Sequence, residues 1–281
     1  MSNEKIEYLN LDLLHPFENN PFQSVDESEY DELRDSVMEF GIITPLIVNK
    51  SENGYEIISG HRRWQIAKEL KLDVVPVYVR EFSKEEAVIN FVDCNLSREK
   101  ILPSEKARAY KMKHDAIKKQ GARTDLTSSQ VGTKFRSDEM LAETMPDSRM
   151  QIQRYIRLTN LIDPILQMVD DNQIAMNAAV ELSYLGSKEQ AAVMQSIEKE
   201  DTSPSIAQAK KIRKFHQDGK LNEAVIDSIM MEQKPETIKI TLGEDKLKKY
   251  FPKSYTKAKM EEIILKLLDK WHRQRENEKE R

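Results

Sequence analysis

The chain has 281 residues, 33% of them charged and 39% hydrophobic, with a formal net charge of −4. That composition fits two or three water-exposed, helix-rich domains, and only eight glycines and ten prolines argue against an all-β sandwich. A single cysteine, Cys94, excludes an internal disulfide framework and fits a reducing cytoplasm. No apolar run reaches the roughly 18 residues of a membrane span, and Met1-Ser2-Asn3-Glu4-Lys5 lacks the basic start and apolar core of a signal peptide.

The predicted elements begin with a mixed α and β region over residues 1–96. Leu33, Val37 and Phe40 have helical spacing that stops at Gly41. Leu46-Ile47-Val48 and Tyr55–Ile58 read as short strands, joined by an Asn53-Gly54 hairpin turn. Trp64, Ala67 and Leu70 predict a helix, and Val74–Val79 a further strand whose Pro76 suggests an edge or a strand start. Ser83 is placed to cap a helix over Lys84–Leu96, with Glu86 completing a capping box. From there the pattern is almost wholly helical. Pro103 opens a helix predicted to run to about Gln120, ahead of Gly121, and residues 122–136 read as a loop or short helix. Helices follow at about 138–145, 149–158, 162–170, 175–184, 187–200, 205–216 and 221–232. Thr237–Leu242 alternates as a strand. Met260, Ile263, Ile264, Leu267, Leu268 and Trp271 then form an apolar stripe, which must bury itself on its own small domain or on a second copy.

Three stretches carry chemistry. The first runs from Gly54 to Ala67, where a β-rich segment breaks at Gly60 and Arg62 and Arg63 open a helix. A strand, a glycine turn and a helix N-terminus with guanidinium groups suit a phosphate. The second is basic: residues 98–123 hold nine Lys/Arg against three acids, Lys111 and Lys118 among them. It is either a solvated helix face or a local field that attracts phosphate in spite of the negative total. The third, residues 138–158, has helix-turn-helix spacing. Ala142 is the small residue where the helices cross, Pro146 lies at the turn where glycine is usual, and Ile152 and Tyr155 fill the later apolar positions, backed by Leu141 and Met145. Ser148 caps the second helix, whose exposed face is expected to carry Arg149, Gln151, Gln153 and Arg154. Arg reads guanine and Gln reads adenine in the major groove.

The ordered set resembles the ParB/Noc family of partition proteins, over about residues 5–215. Gly41-Ile42-Ile43-Thr44-Pro45-Leu46-Ile47-Val48 is similar to the family's first box. Gly60-His61-Arg62-Arg63 is similar to its Gly-Glu-Arg-Arg box, and Cys94-Asn95-Leu96-Ser97-Arg98, with Pro103 and Glu105, to its Glu-Asn-x-x-Arg box. The resemblance implies an α+β ParB/sulfiredoxin-like nucleotide-binding domain (1–96), an all-α DNA-binding domain with a helix-turn-helix (97–216) and a small strand-plus-helix segment serving dimerisation (217–281). It further implies CTP with Mg²⁺ as cofactor, double-stranded DNA with a palindromic site as ligand, a homodimer, a ParA-type ATPase met by the extreme N-terminus, and a cytoplasmic, nucleoid-associated clamp that nucleotide closes. In that scheme Thr44, Gly60, His61, Arg62, Arg63, Asn95 and Arg98 hold the nucleotide, and Asn95 helps hold Mg²⁺.

Departures from the family pattern weigh on turnover. His61 stands where the second box has Glu, and Thr44 where Gln is common. Cys94 replaces the third box's hydrolysis-linked Glu, and a neutral thiol is a poor ligand for a hard cation. Binding is therefore expected, with hydrolysis slow or absent. Sulfiredoxin shares the N-terminal fold, but Gly60 stands where that enzyme needs its cysteine, and Cys94 reads as a buried small hydrophobe elsewhere in the chain. No clustered acidic metal site suggests a nuclease. The remaining alternative is a helix-turn-helix regulator that binds DNA without nucleotide.

Overall fold

The computed structural model describes residues 5–22, 27–98, 100–127, 145, 147–232, 250–251 and 255–279. It divides into two units, Met1–Glu232 and Gln233–Arg281. Residues 138–144 of the predicted helix, with Leu141 and Ala142, the turn residue Pro146, the strand 237–242 and the extreme N-terminus at 1–4 lie outside the described residues.

The first unit opens with β1 (Glu7–Asn10), a 3₁₀ turn (Leu11–Leu13), β2 (Leu14–His15), α1 (Glu27–Phe40), β3 (Leu46–Ser51), β4 (Gly54–Ser59), α2 (His61–Glu69) and β5 (Val74–Arg80). The five strands form one sheet in the order β1-β5-β3-β4-β2. β3 and β4 pair antiparallel with Ser51 opposite Gly54, so Glu52 and Asn53 make the hairpin turn. Gly54 is the first strand residue rather than a turn residue. It has φ +125°, and a Cβ there would lie 2.5 Å from the Leu13 carbonyl oxygen, so the glycine serves close backbone approach. Pro76 lies inside the sheet rather than at an edge, because β1 covers β5 with Tyr8 opposite Pro76. The parallel ladder between β3 and β5 starts at Val77, so the missing N–H takes nothing from it.

Neighbouring strand residues face opposite layers. Ile57 joins one apolar cluster with Leu46, Val48, Trp64, Ala67, Val75 and Val77. Ile58 joins another with Phe17, Phe22, Phe91, Val92, Tyr110 and Ile152. That second cluster packs α3 (Lys84–Leu96) and α4 (Pro103–Thr127) onto the sheet. The capping box at α3 forms as expected: the Glu86 carboxylate accepts from the Ser83 N–H at 2.9 Å, and the Ser83 hydroxyl accepts from the Glu86 N–H at 3.3 Å. α4 continues through Gly121, which costs a helix about 1 kcal/mol relative to Ala but does not stop it. Of the predicted stripe on α1 only Val37 is buried; Phe40 is exposed beside Met38.

Among the described residues of this unit six further helices follow: α5 (Arg149–Leu158), α6 (Asp163–Asp170), α7 (Met176–Leu182), α8 (Ser187–Glu200), α9 (Ile206–Gln217) and α10 (Glu223–Met230). Leu158, Ile165, Leu182, Val193 and Ile212 meet in its core, and Ile226, Ile229 and Met230 of α10 join them. In the second unit α11 (Lys257–Lys279) carries the apolar stripe. Ile263 and Ile264 are half-buried there, whereas Leu267 and Leu268 are more than 50% exposed. No helix among the described residues is long and apolar enough to cross a membrane.

Candidate functional site

The turn between β4 and α2 has the expected form. Gly60 sits at φ +103°, and a Cβ on it would fall 2.8 Å from the Leu46 side chain. Only glycine fits a left-handed turn this close to a buried leucine. α2 starts at His61 with no side chain capping its first N–H groups, the donors an anion needs.

The basic residues around the turn divide into two kinds. Arg63 is turned inward: its Nη1 donates to the Thr44 carbonyl and, at 3.1 Å, to the Pro45 carbonyl, and burial lowers its pKa. Arg63 thus fastens the first-box loop to α2, and Thr44 enters the site through that carbonyl. Arg62, Arg98 and Lys100 form the charged rim. Arg62 Nη1 lies 3.2 Å from a Glu29 carboxylate oxygen, and Lys100 Nζ lies 3.9 Å from the other. The Arg98 guanidinium carbon is 5.5 Å from the Phe22 ring centroid, and burial followed by Arg62 pushes its pKa down. Two mutually repelling guanidinium groups thus lie beside an open helix N-terminus, an arrangement that an anion would offset. Glu29, supplied by α1, holds part of it.

His61 does not belong to that rim. It is buried, its Nε2 accepts from the Phe17 N–H at 3.2 Å, and its ring stands edge-on to Phe91 at 5.6 Å. Burial, with Arg98 adding to it, lowers its pKa to about 4. Asn95 is also buried, and its amide nitrogen donates to the Phe91 carbonyl at 2.8 Å, so the ligand atom it can lend is the amide oxygen. Among the described residues no cluster of three His, Cys, Asp or Glu could hold a metal ion.

Cys94 is exposed rather than buried, and it does not lie far from the turn: its side chain hydrogen-bonds Ser59, the residue before Gly60. Partial burial, then the Asp93 carboxylate, raises the thiol's pKa and keeps it neutral. Asp93 itself turns to α4, where it pairs at 2.5 Å with the fully buried Lys113.

The basic stretch on α4 is less uniform than its composition. Lys113 is buried, Lys106 pairs with Asp147 at 3.5 Å and Arg108 with Asp163 at 3.4 Å. Lys111 and Lys118, seven residues apart on one helix face, remain exposed.

Helix α5 is capped as expected, with the Ser148 hydroxyl accepting from the Gln151 N–H at 3.3 Å. Its outward residues are Met150, Gln153 and Arg154, with Arg149 half-buried beside them. Gln151 turns the other way and donates to the Met176 sulfur of α7 at 3.4 Å. The expected face thus loses Gln151, and Arg157, at i+3 from Arg154, lies in line with it but half-buried. That spacing was legible in the sequence, unlike a second feature. The Tyr110 hydroxyl of α4 donates to Asp147 at 2.5 Å, tying the entry of α5 to α4. Burial, then that carboxylate, pushes the phenol's pKa up.

Residues 1–96 match the ParB N-terminal domain, and residues 130–217 match the ParB HTH domain. The chain belongs to the ParB family. Stage 0 sporulation protein J of Bacillus subtilis (strain 168) is 35% identical over 178 residues, 63% of this chain and 56% of that protein. A probable chromosome-partitioning protein ParB of Rickettsia bellii (strain RML369-C) is 28% identical over 176 residues, 63% of this chain and 54% of that one. The chain therefore spans little more than half the length of these two ParB-family relatives. Among solved structures, a C-terminally truncated chromosome-partitioning protein ParB from Caulobacter crescentus, complexed to the centromeric parS site, aligns at 19% identity and a TM-score of 0.42, covering 81% of this chain and 100% of that one.

Proposed function

We propose that this ParB-family chain is a DNA-binding partition protein that binds CTP at the Gly60 turn and reads a palindromic duplex with α5. One observation carries the coupling between the two sites. Ile58, two residues before the glycine turn, and Ile152 of the reading helix belong to a single apolar core, together with Phe91 of α3 and Tyr110 of α4. Close-packed cores respond to a shift by moving as bodies, so an anion that repositions α2 and α3 acts on the helix that meets DNA. In this reading Arg62, Arg98 and the α2 N-terminus take the triphosphate, Arg63 and the Thr44 carbonyl shape the loop over it, and His61 supports the turn from beneath. The cytidine base rests on the family resemblance. A Mg²⁺ would come with the triphosphate, and the Asn95 amide oxygen is the protein atom that would help hold it.

Calorimetry with each of the four nucleoside triphosphates, with and without duplex, tests the reading. Heat with CTP above the other three is expected; no heat under any condition leaves the nucleotide-independent regulator as the better account. Glu29 adds a sharper test, because its carboxylate sits against Arg62 and Lys100 where a phosphate is expected. An exposed ion pair is worth up to about 1 kcal/mol, so Glu29→Gln should tighten CTP binding roughly three- to five-fold. Weaker binding in that variant would place the phosphates elsewhere.

DNA reading is tested with a duplex selected from a random library by the wild-type chain. Arg149→Ala and Arg154→Ala should each cost about 1–3 kcal/mol on that duplex. If both bind as the wild type does, α5 is not the reading helix. Dimerisation is assigned to α11, where Leu267 and Leu268 are exposed on a 23-residue helix. Leu267→Glu puts an unpaired charge into that seam, and light scattering should report a monomer with unchanged helical circular dichroism. A variant that keeps the wild-type mass removes α11 from the interface.

A further inference from the structure

Tyr184, in the corner between α7 and α8, is held between two arginines from different helices. The guanidinium carbon of Arg157, on α5, lies 3.8 Å from its ring centroid, and that of Arg213, on α9, lies 3.5 Å away. Two groups cannot both come so close on one side of a ring, so they cover opposite faces. Arg157 also donates to the Ser183 carbonyl at 3.3 Å, and Arg213 pairs with Glu181 at 2.8 Å. Glu181 offsets one of the two positive charges, and the tyrosine stays 38% exposed between them.

We infer that this Arg157–Tyr184–Arg213 sandwich is a clamp for the phosphodiester backbone of a duplex, set at the end of the reading helix. The inference rests on the duplex-binding reading given above. Arg157 lies at i+4 from Gln153 and i+3 from Arg154, one turn toward the C-terminus of α5, half-buried against Tyr184. A ten-residue helix spans about 15 Å, more than the roughly 12 Å width of the major groove. With the first turn of α5 at the base edges, its last turn reaches the groove wall, where phosphates lie. Phosphate contacts fix register without reading sequence, and they need a donor whose direction is set in advance. Stacking on an aromatic ring supplies that: it fixes the guanidinium plane, with Nη2 of Arg157 held on the Ser183 carbonyl and Nη1 as the nitrogen that would meet an oxyanion oxygen. Lys210, exposed one turn before Arg213 on α9, extends the positive rim.

The competing role is a staple that only joins α5 to α9. Fluorescence anisotropy of the full chain on two unrelated mixed-sequence duplexes, titrated from 50 to 300 mM KCl, separates the two. A phosphate contact predicts that Arg157→Gln weakens binding about equally on both duplexes and reduces the slope of log K against log salt by about one. Arg157→Lys, which keeps the charge, should restore the slope. A staple predicts a lower melting temperature in both variants with the wild-type slope retained, and that result overturns the inference while leaving α5 as reader. Phenylglyoxal footprinting of the wild type gives a readout that no variant's folding can confuse. Arg157 should be protected when duplex is present, and equal modification with and without duplex overturns the clamp. If the wild type binds no duplex at all, the DNA-binding reading fails first and the clamp falls with it.

Discussion

Acidification from pH 7 to pH 5 should cost the folded protein about 2 kcal/mol through His61 alone. The imidazole is buried against Phe91, accepts a hydrogen bond from the Phe17 N–H and has a folded pKa lowered from 6.5 to about 4, with burial the main cause and Arg98 the second. In the unfolded chain it titrates at its ordinary value. Below that value the unfolded state binds a proton that the folded state refuses, so stability is intact above pH 6.5 and lost as pH falls toward 4. The full loss approaches about 3 kcal/mol, at roughly 1.4 kcal/mol per pKa unit. Urea unfolding of the wild type and His61→Gln at both pH values checks it, since glutamine keeps an acceptor for Phe17 but does not titrate. Wild type and variant losing equal stability between pH 7 and pH 5 would show that the histidine is protonated, or solvated, in the folded state.

Arg62→Ala is expected to lower affinity for CTP by at least about 100-fold. Hydrogen bonds to charged groups contribute on the order of 1.5–3 kcal/mol each, and a guanidinium fork makes two to a phosphate, so about 3 kcal/mol and a factor of roughly 100 are at stake. Arg62 is the cleaner probe of the pair. Arg63 also holds the Thr44 and Pro45 carbonyls, so its removal mixes loss of ligand contact with loss of the loop. Lysine at position 62 keeps the charge and loses the planar fork, so Arg62→Lys should recover only part of the affinity. Calorimetry with CTP, run beside Glu29→Gln, reads both directions of the same site. Binding within three-fold of wild type in Arg62→Ala would remove this residue from the phosphates.

What the sequence determined by itself follows from local rules. Ser83 with Glu86 and Ser148 ahead of Arg149 mark helix starts, because a side-chain oxygen satisfies N–H groups that nothing else reaches. Gly60 marked the left-handed turn ahead of α2, because only glycine adopts that backbone at no steric cost. The order of those motifs along the chain was enough to place it in its family. Tertiary structure decided which way the side chains face. His61 and Arg62 are neighbours on one helix, yet one is sealed against Phe91 and the other meets Glu29 of α1; a contact with a helix more than thirty residues away has no local signature. Gln151 left the expected face of α5 because Met176 of α7 claims its side of the helix. Cys94 came to the turn, and Asp93 left it for Lys113, because α3 lies between the β4–α2 junction and α4. Tyr184 found its two arginines only once α5 and α9 had folded to either side of it. Propensity, capping and glycine geometry act within a few residues and can be read from order alone, whereas burial, pairing and stacking depend on which distant helix arrives beside each side chain.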